Sequence, residues 1–384
     1  MLWTLLALAL AIRLNVGMSA PFVWDEWGTS IPLARAISFA PGSLNLPIRS
    51  TNHGALPSYL VKVSSALFGE TPGGLRAVHV FLSLVMALLV YCMALEWKGV
   101  VAARWAMALL AFNEYFLHVS IRATAHVPYL FVATCCAFAV CRFLRAPRAW
   151  HLYVVAGSVG LAFYAKESAV LLLPLCASVL LFRQFRAWLR TPHPYLAAGL
   201  FALLLLPDIA WNLDPPQSTV AWGEAEVTRA GYATHLQRVG GLGFSVYPTM
   251  FYARTTVSDA FKWSTGRTLR DGLDEYLSMN IVLGALLIGA VIAATFAGTW
   301  RRDSTMAFLL VIFWGVFGFF SLIAPGDTKE RLDPVSWMWV ETTMVPAVLV
   351  AAASLSSVRW GRAPLWLAAG GGLTYAAIVV SVLV

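Results

Sequence analysis

The chain has 384 residues, of which 59% are hydrophobic and only 12% are charged, and its formal net charge is +8 at pH 7. Soluble domains need far more charge on their surfaces, so this composition excludes a soluble protein and predicts a membrane protein. Most Lys and Arg residues lie in short connections between apolar runs, so the positive charge does not indicate nucleic-acid binding.

Apolar runs recur along the chain and predict about eleven transmembrane helices. Several runs are shorter than the roughly 20 residues that a spanning helix needs, so interfacial residues must complete them. A signal peptide is the alternative for the first run, although Arg13 interrupts it. The runs are Leu2–Met18, Ala77–Leu95, Trp105–Leu117, Val127–Cys141, Leu152–Ala165, Ser168–Phe182, Tyr195–Trp211, Met279–Trp300, Met306–Ala324, Met344–Leu355 and Leu365–Val384.

Every second connection between these runs is short and basic, and the alternate connections hold most of the acidic residues. Positive residues are retained on the cytoplasmic side, so the acidic connections are predicted to face outward. Arg outnumbers Lys and the loops are short, which favours a bacterial inner membrane with a periplasmic site. The basic connections contain Lys98 and Arg104; Arg142, Arg145 and Arg148; Arg183, Arg186 and Arg190; Arg301 and Arg302; Arg359 and Arg362.

The chain divides into three predicted parts. Residues 1–211 form an N-terminal transmembrane module whose first external loop covers about 19–76, and residues 279–384 form C-terminal transmembrane helices. Between them, residues 212–278 are polar and too long for a connector, which predicts a functional loop or small external subdomain. Within the first loop, the segment from Ser30 predicts an interfacial helix with Ser30 as its N-cap.

The cysteines and histidines give no sign of a metal site or a disulfide. All five Cys lie in apolar runs, where they behave as small hydrophobes, and no metal-ligand spacing is present among the Cys and the seven His. A divalent metal bound by carboxylates stays open, because such a site needs a second acid that the sequence does not identify.

Ionisable residues gather at the predicted outer ends of several runs. Charged groups at a membrane boundary are costly to desolvate, so such a cluster indicates a functional site. If the helix ends converge, carboxylates that accept protons meet cations that hold an anion, as group transfer from a phosphate requires. The candidates are Asp25, Glu26, His53, Glu114, His118, Arg122, His126, Lys166, Glu167, Asp327, Lys329, Glu330, Arg331 and Asp333.

Each candidate also has a structural interpretation. Asp25 can cap the helix that follows it, since acids are favoured at helix N-termini. Lys166 can extend its ammonium to the outer headgroups, although its position opposes the positive-inside trend. His53 and His118 can be hydrogen-bonded interfacial residues, and "KER" at 329–331 can be a solvated loop face.

Three segments, in chain order, resemble the integral-membrane glycosyltransferases of the GT-C class, in the branch of the protein O-mannosyltransferases and the bacterial aminoarabinose transferases of lipid A. They are the first loop with "WDEW" and "NHGALPSYL", then "LHVSIRATAHVPYLF", then "AFYAKESAVLLLP". The resemblance extends from Leu2 to about Phe182. It implies an all-α polytopic membrane protein, a GT-C-like bundle of about eleven transmembrane helices with external amphipathic helices and one long external loop.

The resemblance implies an inverting glycosyltransferase that moves a sugar from a polyprenyl-phosphate donor to an acceptor hydroxyl at the outer face. Asp25 matches the family's first-loop acid and would act as the general base, while Glu26 would orient Asp25 or the acceptor. The leaving phosphate needs cations, for which Lys166, Arg122 and His53 are the matching candidates. The acceptor would be a lipid, a glycan or a protein.

Two segments depart from the family pattern. After "SIRAT" the family commonly has an acid where this chain has His126, so a supporting carboxylate is missing or is supplied by Glu114 or Glu167. Near the C-terminus, Lys329 and Arg331 are further candidates for phosphate binding, but their spacing to the following prolines does not fit the family.

Two other functions remain as alternatives. A transporter or flippase for a lipid-linked glycan would also have many helices and an ionisable cavity, but transporters place charges near the bilayer midplane and often show inverted repeats. Here the charges gather at the ends of the runs and no repeat is visible, which favours an enzyme. An oligosaccharide ligase that uses a diphosphate-linked donor would share the base and the cations.

Overall fold

A computed structural model describes residues 2–19, 22, 26–49, 54–213, 221–222, 225–226, 239–242, 281–325 and 341–356. Almost all of this part of the chain is helical. The α-helices are α1 (Leu2–Ser19), α2 (Ile31–Ala36), α3 (Leu56–Phe68), α4 (Pro72–Lys98), α5 (Val100–Ala111), α6 (Glu114–Ser120), α7 (His126–Arg145), α8 (Ala149–Phe163), α9 (Leu172–Ala177), α10 (His193–Leu213), α11 (Ile281–Phe296), α12 (Ser304–Leu322) and α13 (Met344–Leu355).

Shorter elements connect these helices. A π-helical turn precedes α2, and 3-10 turns flank α9 and precede α10 and α12. Among the residues that the structure describes, four short strands form two antiparallel pairs, β1 with β2 and β3 with β4. The turns are Glu26–Ser30 (π), Glu167–Leu171, Ser178–Leu181, Arg186–Arg190 and Thr299–Arg301 (3-10), and the strands are β1 (Ala221–Trp222), β2 (Ala225–Glu226), β3 (Val239–Leu242) and β4 (Ile323–Pro325).

Four helices of the described residues are long and apolar enough to cross a membrane by length and composition. They are Pro72–Lys98, His126–Arg145, His193–Ala210 and Ser304–Leu322. Six shorter apolar helical segments occur beside them. The all-α polytopic architecture predicted from the sequence is therefore confirmed, while the exact number of spans stays a prediction. The predicted run Leu365–Val384 lies outside the described residues.

Two predicted spans are not single α-helices. The run from Trp105 is divided because α5 ends at Ala111 and Asn113 caps α6, its side-chain oxygen accepting from the Phe116 N–H at 3.1 Å. The run from Ser168 is divided into 3-10, α and 3-10 turns around Pro174. Proline has no N–H to donate within a helix, which disfavours a continuous α-helix there.

The chain forms two compact units that alternate along the sequence. Unit 1 comprises Met1–Ala20, Ala87–Ile121 and Val239–Val384, and unit 2 comprises Pro21–Met86 and Arg122–Arg238. The predicted division at residues 211 and 278 stays a prediction.

In unit 1, α13 packs against α5, α11 and α12. Helix α1 is joined to α5 by Arg13, whose buried guanidinium donates to the Ala9 and Ala111 carbonyl oxygens at 3.1 and 3.0 Å. A second buried polar contact links the Tyr115 hydroxyl to the Glu341 carboxylate. These buried polar groups are hydrogen-bonded, as low-dielectric surroundings require.

Unit 2 carries the predicted site residues Glu26, Arg122, His126, Lys166 and Glu167. Helix α8 packs between α7 and α10, and Gly160 lets α8 approach α10 closely, because a Cβ there would lie 2.7 Å from Leu204. Helices α2 and α3 pack together over a buried cluster that also includes Leu75 of α4 and Ala123. This cluster fixes the turn before α7 beneath the first loop.

The predicted interfacial helix after Ser30 is present as α2, but its predicted cap is wrong. Ser30 has helical backbone angles and makes no side-chain capping hydrogen bond. The reason is that residues 26–30 already form a π-helical turn, so the helical segment begins at Glu26, directly after Asp25. Turns of π-helix inside a helical segment are rare and often occur at functional sites.

Candidate active site

The carboxylate of Glu26 is fully buried and binds three groups of unit 2. Its Oε1 accepts from Arg76 Nε at 2.7 Å and from the Ala123 N–H at 2.8 Å, and its Oε2 accepts from Arg76 Nη2 at 2.6 Å. Arg122 Nη1 lies 3.5 Å from Oε2. The paired Arg–carboxylate geometry is the strongest form of this interaction. We call Glu26, Arg76, Arg122 and Ala123 the Glu26 anchor.

The charge state of Glu26 follows from these contacts. Burial alone would raise the pKa of the Glu26 carboxyl, because desolvation disfavours its charged form. The hydrogen bond and charge of Arg76, the charge of Arg122 and the Ala123 N–H together outweigh burial and hold the pKa below its ordinary value. Glu26 is therefore an ionised structural partner of two arginines and cannot act as a proton donor near neutral pH.

Lys166 follows α8 and precedes the 3-10 turn, and its side chain is only 5% exposed. Its Nζ lies 3.0 Å from Nδ1 of His126 and 5.6 Å from the centre of the Tyr129 ring. An ammonium can only donate, so Nδ1 accepts and the ring proton of a neutral His126 sits on Nε2. The buried position differs from the solvated one that an extended surface lysine adopts.

Arg49 joins three segments of unit 2. Its Nη1 donates to Glu167 Oε1 at 3.2 Å, and its Nε donates to Asp208 of α10. The side chains of Arg49 and Asp208 are 12% and 5% exposed. Glu167 directly follows Lys166, so this network borders the Lys166–His126 pair.

The structure brings five of the predicted site residues together in unit 2: Glu26, Arg122, His126, Lys166 and Glu167. His118, in α6, is buried in unit 1. Glu114 begins α6, but its side chain is not among the described groups. Further candidates lie outside the described residues, namely Asp25, His53, Asp327, Lys329, Glu330, Arg331 and Asp333.

Sequence reasoning missed three residues that organise this site: Arg49, Arg76 and Asp208. Each carried a usable signal. Asp208 is a carboxylate inside an apolar run, which marks a functional hypothesis by itself. Arg49 and Arg76 lie in a predicted outer connection, against the positive-inside trend. Their partners lie far away in sequence, so the pairing itself was not readable.

One short turn connects the acid to the cation. Ala123 donates to Glu26, and His126, three residues later, contacts Lys166. A trans chain spans at most about 3.3–3.6 Å per residue, so the Cα atoms of Ala123 and His126 are no more than about 11 Å apart. The first loop and the lysine are thus held by the two ends of the same turn.

No group of three or more His, Cys, Asp or Glu side chains is arranged to hold a metal ion within the part of the chain that the structure describes. Asp25 lies outside that part, so a divalent metal bound there stays open.

Sequence comparison gives a partial family match. Residues 52–211 match the family model described as dolichyl-phosphate-mannose-protein mannosyltransferase. This segment includes Arg76, Arg122, His126 and Lys166, all of which lie in the site. A comparison with curated proteins finds no significant match.

Solved structures share the fold at low sequence identity. ArnT from Cupriavidus metallidurans bound to undecaprenyl phosphate matches with a TM-score of 0.51 and 16% identity, over 92% of this chain and 77% of ArnT. The Archaeoglobus fulgidus oligosaccharyltransferase tethered with an acceptor peptide containing the NVT sequon matches with a TM-score of 0.53 and 14% identity, over 100% of this chain and 54% of that chain. The archaeal oligosaccharyltransferase AglB from Archaeoglobus fulgidus, in complex with an inhibitory peptide and a dolichol-phosphate, matches with a TM-score of 0.51 and 14% identity. That match covers 100% of this chain and 55% of AglB.

This chain spans about half the length of the archaeal oligosaccharyltransferase and most of the length of ArnT. Identities of this size show a shared fold, and the family match covers fewer than half of the residues. The predicted resemblance is confirmed: the chain is a multi-pass membrane protein with the GT-C fold, and it resembles the branch that contains the mannosyltransferases and ArnT.

Proposed function

We propose that the protein is an inverting glycosyltransferase that moves a sugar from a polyprenyl-phosphate donor to an acceptor hydroxyl at the outer face of the membrane. The observation that carries the proposal is the turn at 122–126, which binds Glu26 at one end and contacts Lys166 at the other. It links the segment that directly follows Asp25 in the sequence to a buried lysine. The fold and the family match support the same reaction class.

Asp25 is the general base of the proposed reaction. Its carboxylate takes the proton of the acceptor hydroxyl while the oxygen attacks the anomeric carbon from the face opposite the phosphate. The new C–O bond forms as the bond from the anomeric carbon to the phosphate oxygen breaks. The electron pair of that bond leaves with the polyprenyl phosphate, and no other reactant is needed. Because the attack comes from the opposite face, the configuration at the anomeric carbon inverts.

Glu26 serves this reaction by orienting Asp25. Both of its oxygens are bound by Arg76, and Ala123 and Arg122 complete the contacts, so the carboxylate is fully buried. A buried group of this kind does not reach an acceptor. It holds the start of the π-helical turn, which directly follows Asp25 in the sequence.

The cations stabilise the charge that develops on the leaving phosphate. Lys166 supplies a buried ammonium, and His126 lies 3.0 Å from it through Nδ1. We also assign Arg122 and His53 to this role, while Lys329 and Arg331 stay candidates for phosphate binding from the sequence alone. Of these, Arg122 shares its charge with Glu26.

The test is Asp25→Asn in purified protein reconstituted into nanodiscs, assayed against a panel of monophosphate- and diphosphate-linked polyprenyl sugars. Binding of a monophosphate donor by wild type and variant, with turnover reduced at least about 100-fold in the variant, is the expected result for a lost general base. Glu70→Gln is the matched control, because Glu70 is an exposed acid of the same unit, and it should turn over normally.

Other outcomes select the alternatives. Normal turnover by Asp25→Asn removes Asp25 from the base role. Turnover of diphosphate donors alone replaces the proposal with an oligosaccharide ligase. Binding with movement of the lipid across the membrane, and no transfer by any form of the protein, replaces it with a transporter or flippase.

A further inference from the structure

Arg49 lies between two carboxylates that come from different parts of unit 2. Glu167 accepts from its Nη1 at 3.2 Å, and Asp208 accepts from its Nε. All three side chains are at most 22% exposed. One arginine therefore joins the first loop to the 3-10 turn after Lys166 and to α10.

Backbone contacts hold the same loop in the same place. The Leu56 N–H donates to the Tyr164 carbonyl oxygen at 3.0 Å, and the Ala55 N–H donates to the Ile48 carbonyl oxygen at 2.9 Å. Arg49 and Gly54 form an isolated antiparallel bridge, so the two ends of this loop lie side by side. We call Arg49, Glu167 and Asp208, with the Gly54–Tyr164 contact, the Arg49 clamp.

Gly54 shows how closely the loop approaches α8. A Cβ atom at Gly54 would lie 2.2 Å from the Tyr164 carbonyl oxygen, which is less than any real contact allows. The Tyr164 side chain is fixed as well, since its hydroxyl donates to the Leu204 carbonyl oxygen of α10 at 2.7 Å. Position 54 therefore has space for glycine but not for a residue with a Cβ atom.

The clamp also sets the electrostatics around Lys166. Arg49 places one positive charge against two carboxylates at low exposure, so each carboxylate has an ion-pair partner. Without Arg49, the Glu167 carboxylate would lose that partner while remaining next in sequence to Lys166. The Glu167 carboxylate would then compete more strongly with an anionic ligand for nearby positive charge.

We propose that Arg49 is a positioning residue for the donor site. It ties residues 49 and 54–56 to the segment that contains Lys166, and its guanidinium pairs with the Glu167 carboxylate. Asp208 is the point on α10 to which this loop is tied. The inference rests on the proposed function only in naming a polyprenyl-phosphate donor as the ligand whose binding is positioned.

The first measurement is steady-state kinetics of Arg49→Ala and Arg49→Lys with a polyprenyl-phosphate sugar. We expect the donor KM of Arg49→Ala to rise about tenfold, the effect of one charged hydrogen bond, with a smaller change in kcat. The donor KM of Arg49→Lys should lie between those of the wild type and Arg49→Ala, because an ammonium keeps the charge but cannot bind two carboxylates as a guanidinium does. Arg35→Ala is the matched control, since its pair with Glu70 is exposed, and it should leave both constants unchanged.

The second measurement is hydrogen exchange of the same variants without donor. Arg49→Ala should speed exchange at residues 54–56 and 164–167 and leave α3 beyond its first turn unchanged. Gly54→Ala should do the same, whereas Gly42→Ala should not, because a Cβ at Gly42 meets nothing within 4 Å. A structural defect in the whole unit would instead raise exchange throughout α7 and α8.

Three results overturn parts of this scheme separately. Unchanged exchange in Arg49→Ala shows that the clamp does not hold the loop. Faster exchange with an unchanged donor KM shows that the clamp does not position the donor. If the wild type binds no polyprenyl-phosphate donor, the proposed function fails, while faster local exchange still supports the clamp.

Discussion

The Glu26 carboxylate shows how strongly one residue can determine the position of a loop. Two arginines and a backbone N–H converge on it, and no part of it is exposed. Removing one partner of a buried ion pair costs far more than removing an exposed one, because the other charge stays desolvated. The loop that carries Asp25 is therefore predicted to depend on Glu26 for stability as well as orientation.

Glu26→Gln tests this dependence. The substitution keeps the shape but removes the charge that compensates Arg76 and Arg122, so we expect a loss of about 3–5 kcal/mol in the free energy of unfolding. Thermal unfolding in detergent at neutral pH measures it. Glu70→Gln, in a pair whose side chains are 62% exposed, should cost no more than about 1 kcal/mol.

Acid provides an independent check of the same residue. The pKa of Glu26 is lowered in the folded protein. Its contribution to folding stability is therefore complete above the ordinary carboxyl pKa and is lost as the pH falls through the lowered pKa of the folded state. In Glu26→Gln, the free energy of unfolding should therefore fall less steeply as the pH is lowered. Equal acid sensitivity of wild type and variant would contradict the lowered pKa.

At the same scale, the sequence identified charged residues of the site but not the residues with which they form ion pairs. Glu26, Arg122 and Lys166 were recognisable because they are charged residues beside apolar runs. Arg76 contacts Glu26 across 50 positions, and Asp208 contacts Arg49 across 159. Pairing over such distances depends on how helices pack, which a single sequence does not specify.

At the scale of single elements, hydropathy predicted where helices lie but not how they begin. The break before α6 carried a sequence signal, since Asn113 is a favoured N-cap. The π-helical turn at Glu26–Ser30 carried none, and its first residue is held by the distant partners Arg76 and Ala123. Propensity gives weak guidance wherever tertiary contacts dominate in this way.

Helix α12 offers a test of capping. Asp303 Oδ1 accepts from the Met306 N–H at 3.0 Å, and Lys98 and Trp97 donate to the same carboxylate. Asp303→Asn should preserve the cap and cost no more than about 1 kcal/mol through the partly exposed ion pair. Asp303→Ala should cost about 1 kcal/mol more, since it also removes the cap acceptor.

Thermal unfolding of the two Asp303 variants over a pH series checks this prediction. Burial raises the pKa of Asp303, but Lys98, the Met306 N–H and Trp97 outweigh it and hold the pKa below its ordinary value. The wild-type contribution is therefore present above the ordinary pKa and lost as pH falls through the lowered one. Equal stability of Asp303→Asn and Asp303→Ala would show that the cap contributes nothing.

At the scale of the whole molecule, charge patterning predicted which connections share a side. Lys98 and Arg301–Arg302 were assigned to one side. Lys98 Nζ does lie 2.9 Å from the carboxylate of Asp303, the residue that follows Arg302. The first loop, the turn at 122–126 and the Lys166 segment were assigned to the other, and unit 2 joins all three. Each contact supports the grouping, and neither identifies which side is outside.

A labelling experiment in intact bacterial cells decides that orientation. Leu44→Cys places a thiol on an exposed residue of the first loop, and Arg302→Cys places one on the exposed connection before α12. Because positive residues are retained in the cytoplasm, a membrane-impermeant maleimide should label the first thiol in intact cells and the second only after permeabilisation. Wild-type protein gives the background from the five native cysteines.

The opposite pattern would place Lys166 and the Glu26 anchor in the cytoplasm. The basic connections would then lie outside, against the charge rule that gave the orientation. A cytoplasmic site would also meet a different set of acceptors, because extracellular glycans and exported proteins would be out of reach. Labelling therefore tests the outer-face part of the proposed function without any donor or acceptor in hand, and a reversed result would leave the chemistry of the site unchanged while moving it to the other leaflet.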